Sequence, residues 1–161
     1  MKLPFFGTRP RRAQEPSAAV YLRDAQIVLH SQSKTDVGVW IACAPFLTLA
    51  SDSSDQELGE AVLAALAGSK ENVPHPNQSK RSKIVTPLLK AAKVKSWNTF
   101  ARDTSSVSLR QRENTTFFTP MENQGTKSGF VDMQGSALSI LDGSAQEVGA
   151  ALREALDLAG R

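Results

Sequence analysis

Ser54-Asp55-Gln56-Glu57-Leu58-Gly59-Glu60-Ala61-Val62-Leu63-Ala64-Ala65-Leu66 returns 90 residues later as Ser144-Ala145-Gln146-Glu147-Val148-Gly149-Ala150-Ala151-Leu152-Arg153-Glu154-Ala155-Leu156. Seven of the thirteen positions are identical, and Leu58/Val148 and Val62/Leu152 are apolar exchanges. Both copies begin with a serine followed three residues later by a glutamate. That is a capping box: the serine oxygen accepts from the glutamate amide while the glutamate reaches back to the serine amide. Leu58, Ala61, Val62, Ala65 and Leu66 fall at i, i+3, i+4, i+7 and i+8, an apolar stripe on one helix face. Val148, Ala151, Leu152, Ala155 and Leu156 repeat it. Gly68 supplies a stop for the first copy, since glycine tolerates the left-handed conformation past a helix end. A period of this length is too coarse for a solenoid. It predicts two halves of one domain, each a sheet followed by a helix.

The segments before each helix read as strands. Ala19–Arg23 and Gln26–His30 flank a turn at Arg23-Asp24. Asp36–Ala42 is rich in β-branched and aromatic residues, and Phe46–Leu49 follows Pro45. In the second half, Ser96–Ala101 has apolar residues on both alternating faces. Val107–Arg112 alternates cleanly, with Ser108, Arg110 and Arg112 on the face opposite Val107 and Leu109. Thr115–Thr119, Gly129–Met133 and Ala137–Leu141 complete the set, and Asp142-Gly143 turns the chain into Ser144. Hairpin-length spacings imply mostly antiparallel pairing. The expected fold class is α+β: two mostly antiparallel sheets, each followed by a packed helix, in a pseudo-duplicated single domain.

Residues 1–16 read as an N-terminal arm carrying three prolines and Arg9, Arg11 and Arg12. Residues 17–161 form the domain, with halves 17–69 and 95–161 joined by a linker at 70–94. Residues 69–85 are rich in polar residues and proline and read as a long irregular connection. Pro87–Ala92 reads as a short helix with proline in its first turn. The linker concentrates charge: Lys70, Lys80, Arg81, Lys83, Lys90, Lys93 and Lys95 stand against one acid, Glu71. Such a patch attracts phosphates or an acidic protein face. The plain alternative is a solvated connection.

At 161 residues the chain is long enough for a substantial core. No apolar run approaches the roughly 20 residues that span a bilayer. The apolar start Met1–Gly7 is too short for a secretory signal core and contains Pro4, which favours the cytoplasm. The single Cys43 agrees, since one cysteine makes no intrachain framework.

The same chain offers little of the chemistry that catalysis needs. One cysteine and two histidines, His30 and His75, give no metal spacing, and no metal or other cofactor is expected. Cys43 lies in the apolar run Ile41–Pro45 with no base beside it and reads as an inert core thiol. There is no phosphate-binding glycine loop. The acids around Ser54 read as helix-dipole and capping groups. Trp40, Trp97, Phe100, Phe117, Phe118 and Phe130 read mainly as sheet core. Phe117 and Phe118 are adjacent and so point to opposite faces, which marks one of them as a candidate partner anchor.

One stretch carries a resemblance. Val73-Pro74 with Pro76, then Pro87-Leu88-Leu89-Lys90-Ala91-Ala92-Lys93-Val94-Lys95-Ser96-Trp97-Asn98-Thr99-Phe100, resembles immunity proteins of contact-dependent growth inhibition systems. The first helix, Pro120, Gly129-Phe130 and the closing Glu147-Val148-Gly149 helix extend the match over most of residues 36–158. The paired halves are also similar to the Whirly-type single-stranded DNA-binding architecture, as a fold analogy. The immunity resemblance implies a non-enzymatic cytoplasmic protein that binds the C-terminal toxin domain, often a nuclease, of its own system's large surface protein. It implies no membrane or small-molecule partner and transfers no contact residues. Lys80, Arg81, Lys83 and Phe118 are this chain's own candidates for partner binding. The other reading is a nucleic-acid module, in which the basic linker tracks phosphates and strand aromatics stack bases. The modest net charge of +3 and the acid-lined helices argue against it.

Overall fold

The computed structural model describes residues 14–160. The chain runs β1 (Ser17–Arg23), β2 (Gln26–Lys34), β3 (Trp40–Ala50), α1 (Asp55–Ala67), α2 (Arg81–Ala91), α3 (Trp97–Ala101), β4 (Ser105–Arg112), β5 (Thr115–Asn123), β6 (Phe130–Asp132), β7 (Leu138–Leu141) and α4 (Ala145–Ala159). The α+β class and the antiparallel pairing stand as the sequence implies. The strands do not form two sheets, however. They join into one of seven strands, ordered β3-β2-β1-β4-β5-β6, with β7 also on β5. The join is the antiparallel pair β1/β4, in which Val20 faces Val107 and Ala18 faces Leu109. Separate sheets would leave both lead strands with an unpaired edge; pairing them satisfies those backbone groups.

Four local readings are corrected. Residues 36–39 are not strand but the turn of the β2–β3 hairpin, with Gly38 at φ 85°. The expected third and fourth strands are one strand, β3, because Ala44-Pro45 is absorbed as a bulge between the His30/Phe46 and Ser31/Cys43 pairs. Ser96–Ala101 is not a strand. Ser96 caps α3 by accepting from the Thr99 amide at 3.2 Å, and Phe100 and Ala101 turn together into the core at helical spacing. Pro87 lies inside α2, not in its first turn, because the helix begins earlier, at Arg81. Ile84 and Val85 face β3 from its first half across an open groove, and Leu88 buries its second half.

The connection after α1 is tied down rather than loose. Lys34 and Asp36 amides donate to Lys70 and Val73 carbonyls, each at 2.9 Å. Gly68 ends α1 in right-handed backbone (φ −77°), so left-handed freedom is not its role. A Cβ there would lie 2.6 Å from Pro45 Cδ and 2.9 Å from the Ala44 carbonyl oxygen, so glycine is required for space. Most of the expected N-terminal arm lies outside the described residues. Its last residues, Gln14–Pro16, run along the sheet end, where Glu15 pairs with Arg112 at 3.2 Å.

Each face of the sheet carries a core. On one, α1 and α4 lay Leu58, Val62, Val148 and Leu152 over Val20, Leu29, Val107 and Phe118. Both capping boxes form as the sequence dictates: the Ser54 and Ser144 amides donate to the Glu57 and Glu147 carboxylates at 2.8 and 2.7 Å. On the other face, α2 and α3 cover Val28, Tyr21 and Phe46 with Leu88, Ala92 and Phe100. This second cover reaches only part of the sheet, and an open groove lies at its margin.

Candidate docking face

Ile84 and Val85 follow Arg81 by three and four residues, so all three sit on one side of α2. That side faces the tip of the β2–β3 hairpin. Between them lies a largely apolar groove of about 550 Å³, lined by Val37, Val39, Trp40, Ile41, Ile84 and Val85, with His75, Pro76 and Arg81 at its edge. Val37 and Val39 are 66% and 48% exposed, unusual for large aliphatic residues at a turn that could have been polar.

Two cations approach the Trp40 ring. Lys34, its direct partner across the hairpin, places Nζ 5.8 Å from the ring centroid; Arg110, from β4, places its guanidinium carbon at 5.5 Å. Both lie within cation–π range. Among the described residues the ion pairs are Arg23–Asp24, Arg112–Glu15 and Arg153–Asp55, so Lys34, Arg81 and Arg110 have no carboxylate partner there. Arg81 meets only His75 Nε2, at a long 3.5 Å.

The four residues singled out by sequence separate. Arg81 lines the groove. Lys80 and Lys83 are exposed, but Lys83 lies two residues beyond Arg81, about 200° around the helix and away from the groove. Phe118 is fully buried under α1 and α4, so it is a core residue and not an anchor. Its neighbour Phe117 is the half-buried one, on the open sheet face. Trp40, Lys34 and Arg110 were not singled out as a group, because β1 and β2 separate β4 from β3 and only the sheet order brings Arg110 to Trp40.

Two titratable groups, His30 and Tyr21, pack among the aromatic rings of the sheet. His30 is buried between Tyr21 and Phe46, with ring centroids at 5.8 and 5.5 Å, and its Nδ1 donates to the Ser31 carbonyl at 2.8 Å. Burial pushes its pKa below the ordinary 6.5, only partly opposed by that hydrogen bond. Desolvation pushes the Tyr21 phenol up to about 12. Cys43 contacts Ser33 Oγ at 2.9 Å. It pairs with Ser31, one residue past His30, and strand alternation puts the two side chains on opposite faces. No group of three or more His, Cys, Asp or Glu converges among the described residues. A larger polar cleft, about 740 Å³, lies near Asp103, Glu122, Asn123 and Gly160.

A family model described as CdiI, CDI immunity protein, matches residues 16–159. The chain belongs to the CDI immunity protein family. The match takes in the sheet, both long helices and the whole groove. This immunity-family chain also resembles solved structures. A protein of unknown function from Neisseria meningitidis, NMB0488, superposes with a TM-score of 0.76 at 18% identity, over 94% of this chain and 99% of that one. A chain of the CdiA-CT/CdiI toxin and immunity complex from Yersinia pseudotuberculosis gives 0.73 at 19% identity, over 90% and 97%. No curated protein matches the sequence significantly. No helix among the described residues is long and apolar enough to cross a membrane.

Proposed function

We propose that this chain binds and neutralises the C-terminal toxin domain of a contact-dependent growth inhibition system, in the cytoplasm and by docking rather than catalysis. The observation that carries this is the immunity-family match across residues 16–159. The proposed toxin activity is nucleolytic, on the strength of the family resemblance. Lys80 and Lys83, both exposed but outside the groove lining, are proposed to steer an acidic toxin surface during approach, and Arg81 to contact it. The nucleic-acid alternative loses part of its stacking platform: Phe100 and Phe118 are fully buried, and Trp97, at the start of α3, packs against Phe100.

The experiment is titration calorimetry of the purified chain against the C-terminal fragment of the large surface protein encoded beside it, with a DNA and RNA degradation assay in parallel. A stoichiometric complex that abolishes toxin activity is expected. No heat of binding at low salt, together with no protection on co-expression, would overturn the reading.

A further inference from the structure

We infer that the groove between α2 and the β2–β3 hairpin receives a toxin segment bearing a bulky apolar side chain flanked by carboxylates, with Trp40 as its floor and Arg81 as its ionic partner. The inference rests on the proposed immunity function and specifies the chemistry of the surface being covered.

Three observations select this occupant. The floor is apolar and open: Val37 and Val39 are among the most exposed large hydrophobics of the described chain, and they border Trp40. A side chain seated there removes them from water. The floor is also set in advance. Lys34 and Arg110 brace the Trp40 indole from 5.8 and 5.5 Å, so the ring is held before a partner arrives and loses little freedom on docking. Finally, Lys34, Arg81 and Arg110 have no carboxylate partner among the described residues. An incoming acid therefore gains pairing without breaking an ion pair already made. The acids nearest in sequence, Asp36 to Lys34, Glu71 to Arg81 and Glu113 to Arg110, are all exposed.

The sign of the charge constrains the target. A protein that plugs a nuclease's cationic phosphate groove must present carboxylates in place of phosphates. This face presents the opposite charge. The toxin surface it covers is therefore acidic, and inhibition works through that surface rather than by imitation of a nucleic-acid backbone.

The test measures binding of the neighbouring-gene toxin fragment to the wild-type chain and to Val39→Asp, Arg81→Glu, Lys83→Glu and Arg102→Glu, each checked for fold by circular dichroism. Val39→Asp and Arg81→Glu are expected to weaken binding about tenfold or more, chiefly by faster dissociation. Lys83→Glu, on the same helix but turned away, should slow association and leave the dissociation rate unchanged, and Arg102→Glu, in the distant polar cleft, should stay within about threefold in both. Wild-type affinity should fall with salt. Tight binding by Val39→Asp and Arg81→Glu, or dissociation of Lys83→Glu accelerated as much as theirs, overturns the groove while leaving the immunity function intact. Absence of wild-type binding overturns the immunity function, and the groove inference with it.

Discussion

Gly59 and Gly149 make the same contact in opposite directions. A Cβ on Gly59 would lie 1.7 Å from the Ala145 carbonyl oxygen, and a Cβ on Gly149 would lie 1.7 Å from the Asp55 carbonyl oxygen. Each glycine lets the first residue of the other helix approach its bare backbone. The repeat in the sequence is thus a reciprocal helix–helix contact. Alanine ordinarily favours a helix interior over glycine by roughly 0.5–1 kcal/mol. Here the opposing atoms are backbone and cannot rotate away. Gly59→Ala and Gly149→Ala are each expected to destabilise the fold by about 1–3 kcal/mol, read from the urea midpoint. The double variant should cost less than the sum, because the first substitution already parts the helices. A stabilised single variant would contradict the contact.

Arg153 breaks the symmetry of that helix pair. Its Nε donates to Asp55 Oδ1 at 2.9 Å, and its terminal nitrogens reach the Ser51 and Ser53 carbonyls at 2.9 and 2.6 Å. The corresponding positions in the opposite direction are Ala145 and Leu63, which make no such bond. Arg153 therefore fastens the loop before α1 to the surface of α4. Arg153→Ala should cost about 1–2 kcal/mol, given three charge-assisted bonds at a site open to solvent on one side. Asp55→Asn should cost less, because the two carbonyl bonds remain. Equal losses for the two variants in chemical denaturation would show that the carbonyls contribute nothing.

His30 gives the fold a pH dependence. The folded protein holds the imidazole neutral below its ordinary pKa of 6.5, while the unfolded chain protonates it near that value. The folded-state pKa is the lower one. Stability from this group is therefore complete above about pH 6.5 and is lost as pH falls toward the folded value, at no more than about 1.4 kcal/mol per pH unit. His30→Phe keeps an aromatic ring against Tyr21 and Phe46 but removes the titration. It should flatten the fall in unfolding free energy between about pH 7 and pH 5. An unchanged slope would assign the dependence to other groups.

How far the sequence reveals this architecture depends on the range of each interaction. The capping boxes and apolar stripes of α1 and α4 are local, and the residues that make them are the residues that show them. The β1–β2 hairpin is legible in the same way, with Asp24 and Ala25 at φ 49° and 59° making its turn. The β1/β4 join is different. Val20 and Val107 are 87 positions apart, and no nearby residue marks their pairing. α3 was misread because five residues contain barely one turn, too little to separate a period of 3.6 from a period of 2. The groove follows the same rule: Arg81 was visible as a charge, whereas the Trp40 site needs Lys34 from β2 and Arg110 from β4, and exists only once the strand order does.

Phe117 and Phe118 turn that lesson into a measurement. Adjacent strand residues must face opposite ways, but alternation does not say which way is in. The register does: Phe118 sits opposite Leu109, whose side chain is in the core under α1 and α4, and Phe117 sits opposite Arg110 on the open face. Phe118→Ala should cost about 3–5 kcal/mol, the range for emptying a fully buried aromatic site. Phe117→Ala, half-exposed at the start, should cost much less. If the two variants shift the denaturation midpoint equally, the faces of β5 are not distinguished as the register requires, and Phe118 regains its place as a candidate surface anchor.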